Sequence, residues 1–253
     1  MKNKLLNNIL ENIKTIFYAL VIALIIRSFF FQPFYIPSSS MEPTLLIGDR
    51  IFVSKYEYGY SKHSLPFSPP LFKNRLLKET PEYGDLVVFK TPSDNRTDYI
   101  KRLIGLPGDT IQFKNGKLYI NEKEIIRKSV SKKYKTRCGN SDPEVSAYKE
   151  ILPNGKEYIA VYNNIGTLLN SDQYIVPKEH FFLLGDNRDC SKDSRFLSSV
   201  GYVPLINLVG KAKMIFFSND TLSGSVLKIW NLDKSFRLRR SFKIIFSSQK
   251  LWQ

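Results

Sequence analysis

The run Ile16-Phe-Tyr-Ala-Leu-Val-Ile-Ala-Leu-Ile-Ile26 is eleven apolar residues long, and after the single charge of Arg27 the segment Ser28 to Phe31 continues it. At about 1.5 Å of rise per residue, a helix over residues 15–31 covers roughly 25 Å of a hydrocarbon layer about 30 Å thick. A short bilayer span is therefore expected there, with Lys14 and Arg27 snorkelling at its ends. A cleaved secretory signal would share the basic start at Lys2 and Lys4, but no A-x-A site follows, and bulky Phe29, Phe30, Phe31 and Phe34 come next. A buried core helix would need a polar face that Ile16 to Ile26 lacks. Lys2, Lys4 and Lys14 precede the run, whereas Ser28 to Asp49 contains no Lys or Arg. Positive charge stays inside. Residues 1–14 are thus expected in the cytoplasm, with a single pass through the membrane and everything beyond about Gln32 translocated.

The 253-residue chain carries 38 Lys plus Arg against 23 Asp plus Glu, a formal charge of +15. With 43% hydrophobic and 13% aromatic residues it can bury a core, which excludes a disordered basic tail protein. Two cysteines without a C-x-x-C pair, and two histidines, exclude zinc fingers and disulfide knots. The charge excess alone does not choose between nucleic acid, an anionic membrane and acidic partners.

Beyond Gln32 no long helical periodicity appears, and short β-type runs alternate with Gly, Pro and Asn, so a mostly β domain is expected. Ile51–Tyr56, Leu86–Lys90, Tyr99–Ile104, Tyr158–Tyr162, Phe181–Leu184 and Leu208–Phe217 read as strands. Asn115-Gly116 and Asn154-Gly155 each suit the positive φ of a primed hairpin turn. Ser61 to Pro70 reads as a loop. Lys114 to Lys149 holds ten basic and four acidic residues and lacks the apolar density of its flanks. The expected division is a catalytic β domain over 32–113 and 172–217, an inserted basic subdomain over 114–171, and a basic tail over 218–253 whose contact with the membrane is left open.

Three polar motifs then share one β domain: Ile36-Pro-Ser-Ser-Ser-Met-Glu-Pro43, Asp98-Tyr-Ile-Lys-Arg-Leu-Ile-Gly105, and Gly185-Asp-Asn-Arg-Asp-Cys-Ser-Lys-Asp-Ser-Arg195. Together they resemble the type I signal peptidases, the bacterial leader peptidases, from about Arg27 to Phe217. The resemblance implies Ser40 as nucleophile and Lys101 as general base. It implies Ser38 and the Ser40 backbone N–H as oxyanion donors, Ser191 as a hydrogen-bond partner of the lysine, and Asp193 with Arg195 as a supporting ion pair. Phe34, Ile36, Met41 and Ile100 would line the substrate pockets. The sequence departs from the commonest patterns at Ser39, often Gly, and at Cys190, often Asn. Cys138 lies in the variable insert, and no pairing with Cys190 is expected. The resemblance implies preprotein signal peptides as substrate and the lipid bilayer as a partner, with no cofactor, metal or nucleic acid; oligomeric state is not indicated.

The chemistry is coherent without the family. An amine can deprotonate a serine only when neutral, so Lys101 must be pushed down from about 10.4 by burial, for which Tyr99, Ile100, Leu103 and Ile104 are suited. Arg102 is permanently charged and cannot substitute. A Ser-His-Asp site would need His63, expected to be solvated in the Pro-rich loop, or His180 at the start of a strand. Asp186, Asp189 and Asp193 lack the Gly and terminal Glu of a calcium loop and are expected to pair with Arg188 and Arg195. Two other readings are a self-cleaving repressor-type or specialised transfer-system peptidase, of which the anchor and the absence of a DNA-binding helix pair disfavour the repressor form, and a non-enzymatic module that binds anionic lipid or nucleic acid.

Overall fold

No Gly or Pro occurs before Pro33, so nothing interrupts a helix that begins near the N-terminus. In the computed structural model, which describes residues 2–70, 74–130, 134–139, 141–163, 168–220 and 236–245, α1 runs Lys2–Phe29. Its stretch Asn7–Phe29 is 23 residues and long and apolar enough to cross a membrane. At about 1.5 Å per residue it reaches roughly 35 Å, beginning before the expected 15–31 segment and ending at Phe29. Lys14 is held one turn from Glu11 at 3.1 Å, whereas Phe31 leaves the helix because its backbone pairs with Ser54 in a sheet.

The strands are β1 Phe31–Tyr35, β2 Asp49–Ser54, β3 Leu86–Lys90, β4 Asp98–Gly105, β5 Thr110–Lys114, β6 Lys117–Ile120, β7 Lys123–Glu124 and β8 Ile126–Ser129. Then follow β9 Tyr134–Lys135, β10 Glu144–Ile151, β11 Glu157–Tyr162, β12 Tyr174–Ile175, β13 His180–Leu184, β14 Val203–Pro204, β15 Leu208–Ser218 and β16 Lys243–Ile244. The main sheet has the order β1-β2-β15-β3-β4-β13-β14, with β16 added to β15. Pro33 is tolerated in β1 because an edge strand has one side of its ladder free. Near-continuous apolar runs in β3 and β13 are buried in the middle of the sheet.

The Asn115-Gly116 turn joins β5 to β6 with both residues at positive φ, as a primed turn requires. At Asn154-Gly155 only Gly155 is at positive φ. There Pro153 occupies the first central position of a turn closed by Gly155 N–H on Leu152 O at 2.8 Å, and its ring fixes negative φ.

Within 114–171, β10 pairs with β8, β9 and β11 in a second sheet, while β6 and β7 join the flanking β5 and β12 in a third. Phe113, Leu118, Ile120, Leu152, Tyr158 and Ala160 share one buried cluster with Ile104, Phe182 and Leu184 of the main sheet. The tail segments 221–235 and 246–253, and Lys132 and Lys133 of the insert, lie outside the described residues.

Candidate active site

Ile36, Met41 and Leu45 are buried in one cluster with Ile51, Val53, Leu86 and Val88, and they clamp the intervening serines onto the main sheet. Between them Ser39–Met41 makes a single 3₁₀ turn. Ser40 is 7% exposed, at the floor of a cleft of about 310 Å³. Lys101 on β4 is 4% exposed, and its Nζ lies 2.6 Å from Ser40 Oγ. The same nitrogen donates to the carbonyl of Ile100 at 3.0 Å. Ser38 Oγ stands 3.3 Å from Ser40 Oγ.

Desolvation dominates the lysine. It lowers Lys101 from 10.5 to about 8, against the opposing pull of Asp193 and Asp186 and with help from Arg195. A neutral amine has one lone pair and two N–H donors. With one donor spent on Ile100 O, the lone pair is free to take a proton from Ser40.

Phe34, Ile36, Met41 and Ile100 all line the cleft with Ser38, Ser40 and Lys101. On the side away from β3, β13 pairs with β4 only at Arg102, Leu103 and Gly105. Asp98 to Lys101 therefore present an unpaired ladder, and β1 across the cleft is itself an edge.

Asp193 and Arg195 form a two-pronged pair, Nε to Oδ1 at 2.8 Å and Nη2 to Oδ2 at 2.9 Å. Burial would raise Asp193, but Arg195 and the Gly185 N–H outweigh it and hold the carboxyl low. Ser191 differs from expectation. Its buried Oγ lies beside Asp193 but makes no hydrogen bond of good geometry, and none joins it to Lys101.

Two further pairings also differ. Asp186 pairs with Arg102 (Nη2 to Oδ2 2.6 Å, Nε to Oδ1 2.7 Å) and accepts from Thr44 Oγ1 at 2.5 Å. Arg188 pairs with Glu150 at 2.7 Å and donates to the hydroxyls of Tyr158 and Tyr162 at 2.5 Å. Asp189 accepts from Asn163 N–H at 2.6 Å. The arginines choose partners from distant strands because each buried guanidinium needs a carboxylate that is itself enclosed. Arg102 and Glu150 carry no local signal of these roles in the sequence.

Cys138 and Cys190 are disulfide-bonded with Cα atoms 5.5 Å apart, contrary to the unpaired expectation. The topology folds the segment after β9 over the 3₁₀ turn Arg188–Cys190, which sequence spacing cannot reveal. His63 is 4% exposed rather than solvated. Ser61 caps a 3₁₀ turn over Lys62–Ser64 that folds it inward. His63 Nδ1 meets Ser68 Oγ at 3.0 Å and His180 Nδ1 meets Lys178 O at 2.8 Å, so neither ring is engaged with Ser40.

Residues 9–217 match the family described as Signal peptidase, peptidase S26, and the chain belongs to that family. Signal peptidase I of Rickettsia typhi (strain ATCC VR-144 / Wilmington) is 42% identical over 247 residues, covering 91% of each chain. That of Rickettsia akari (strain Hartford) is 40% identical over 252 residues, covering 92% of each. A solved signal peptidase I from Enterococcus faecalis V583 aligns with a TM-score of 0.31 at 25% identity, covering 53% of this chain and 97% of that one.

Proposed function

We propose that this chain is a membrane-anchored endopeptidase that removes signal peptides from exported preproteins, with Ser40 as nucleophile and Lys101 as general base. The observation that carries the reading is the 2.6 Å separation of Lys101 Nζ and Ser40 Oγ, with the amine desolvated. Neutral Lys101 takes the hydroxyl proton as Oγ attacks the scissile carbonyl. The oxyanion is received by the Ser40 N–H and Ser38 Oγ. The resulting ammonium gives its proton to the departing amine, and the neutral lysine then activates water against the acyl-Ser40 ester. The Asp193–Arg195 pair fixes the segment that carries Ser191 behind the lysine.

Substrate binds as an added strand along the free ladder of Asp98 to Lys101, opposite β1. Residues one and three before the scissile bond then face the same side. The walls of Phe34, Ile36, Met41 and Ile100 favour Ala, Gly or Ser at both. Residues 32–113 and 172–217 form the catalytic portion and 114–171 its insert.

α1 crosses the inner membrane once, with its N-terminus in the cytoplasm and the β domain on the periplasmic side. The Cys138–Cys190 bond supports that placement, since disulfides persist in oxidising compartments. Incubating the detergent-purified full chain with a preprotein and mapping cleavage by mass spectrometry tests the function. Ser40→Ala and Lys101→Ala should each be inactive, and cleavage by either would overturn the dyad. Protease added outside spheroplasts should digest the β domain, and full protection until lysis would overturn the topology.

A further inference from the structure

A second cavity, of about 420 Å³, opens where α1 meets the β domain. It is lined by Arg27 from the last turn of the helix, Gln32, Lys62, His63, Lys90 and Arg96. Two carboxylates also line it, but both are engaged. Asp98 is paired with Lys90 at 2.9 Å, and Asp94 accepts from Thr91, Thr97 and the backbone N–H of Arg96 and Thr97. Among the described residues Arg27, Lys62 and Arg96 make no ion pair. His63 also lines it, with its ring buried, Nδ1 beside Ser68 Oγ and Nε2 shut off from solvent.

Those surroundings ask for an anion. Burial and then the cations Lys62, Lys90 and Arg75 depress His63 to about 4, so the ring is neutral. Burial and then Arg27 likewise depress Lys55 to about 8. The rim is apolar: Phe67 is fully exposed on the cavity's edge, and Phe29, Phe30 and Phe31 are exposed at the end of α1. Aromatic side chains beside a basic residue at the end of a spanning helix sit at headgroup depth.

We infer that this cavity holds the phosphate of an anionic phospholipid, gripped by Arg27, Lys62 and Arg96, with the buried His63 ring in its wall and Phe67 dipping among the acyl chains. The site rests on the proposed bilayer span of α1. It shares Phe34 and Asp98 with the cleft of Ser40, so a bound lipid would set the height of that cleft above the membrane.

The chain has two histidines, His63 and His180, so histidine-selective isotope labelling yields two ring signals, assigned by His180→Gln. The full chain is placed in nanodiscs of phosphatidylcholine alone or with increasing phosphatidylglycerol. Phosphatidylglycerol should shift the His63 ring signals while His180 stays unchanged. The double variant Lys62→Gln with Arg96→Gln should weaken the apparent affinity about 25-fold, at roughly fivefold per cation near a membrane surface. An unmoved His63 signal, or an equal response in the double variant, overturns the site. The same shift from inorganic phosphate in phosphatidylcholine discs would assign the cavity to free phosphate and overturn the lipid. Flotation with phosphatidylcholine vesicles separates the underlying reading: a chain that floats but shows no shift has an anchor and no lipid site, and one that does not float lacks both.

Discussion

Asn187 is bonded twice to the turn that carries Ser40: its backbone N–H donates to the Ser40 carbonyl at 3.1 Å, and its side-chain amide donates to the Ser39 carbonyl at 3.3 Å. Two segments nearly 150 residues apart are thereby locked in register at the floor of the cleft. Gly185 sits inside the same contact. A Cβ there would stand 2.2 Å from Ser191 Oγ and 2.6 Å from the Ser40 carbonyl oxygen, and the backbone cannot yield as a flexible side chain would. Gly185→Ala should therefore push the Ser40 turn away from Lys101 and cut kcat about a hundredfold, the scale of a 1 Å misplacement. Turnover within a few-fold of the parent would show that the two segments are not coupled.

Cleavage should follow the neutral fraction of Lys101. With the lysine held near 8, kcat should climb through about that pH and fall about a hundredfold by two units below it. His180→Ala should leave the profile unchanged. A limb near pH 6.5 that disappears in a histidine variant would replace the lysine with an imidazole.

The base carries a stability cost with a definite sign. Lys101 ordinarily titrates at 10.5 and in the folded chain at about 8, so the folded state binds its proton less readily than the unfolded one. The penalty is complete below about pH 8, shrinks as pH rises toward 10.5, and is absent above it. Lys101→Met should lose activity yet gain up to about 3 kcal/mol relative to the parent at pH 7. Denaturation at pH 7 and pH 10 measures this, and a difference that does not shrink with pH would refute the burial argument.

Reducing the Cys138–Cys190 bond releases a loop of 52 residues, worth about 4 kcal/mol of chain entropy. The parent should lose stability in reductant, whereas Cys138→Ser should already be less stable and show no further response. Cys190 directly precedes Ser191, so Cys138→Ser should also lower kcat more than it raises KM.

Glu150→Ala would strand the buried Arg188 charge. A cost of about 3–5 kcal/mol is expected, with much of it recovered in the double variant Glu150→Ala with Arg188→Met, where no unpaired charge remains. Equal losses in the single and double variants would mean that packing rather than charge sustains this cluster.

The helix over Ile16 to Ile26 follows from its own residues, because an apolar run without a breaker satisfies its backbone locally. So do the strands at Leu86–Lys90 and Phe181–Leu184, whose apolar character needs no knowledge of neighbours. Ser40 and Lys101 could be singled out from motifs, but their meeting across 61 positions is a product of strand order. The tertiary structure alone decided that Asp186 takes Arg102, that Arg188 takes Glu150, that Cys138 reaches Cys190, and that His63 turns inward. Each of those choices depends on which groups are enclosed together once the sheets pack. A buried charge or thiol selects the partner that topology brings within reach, and neither residue of such a pair shows that selection in its local sequence.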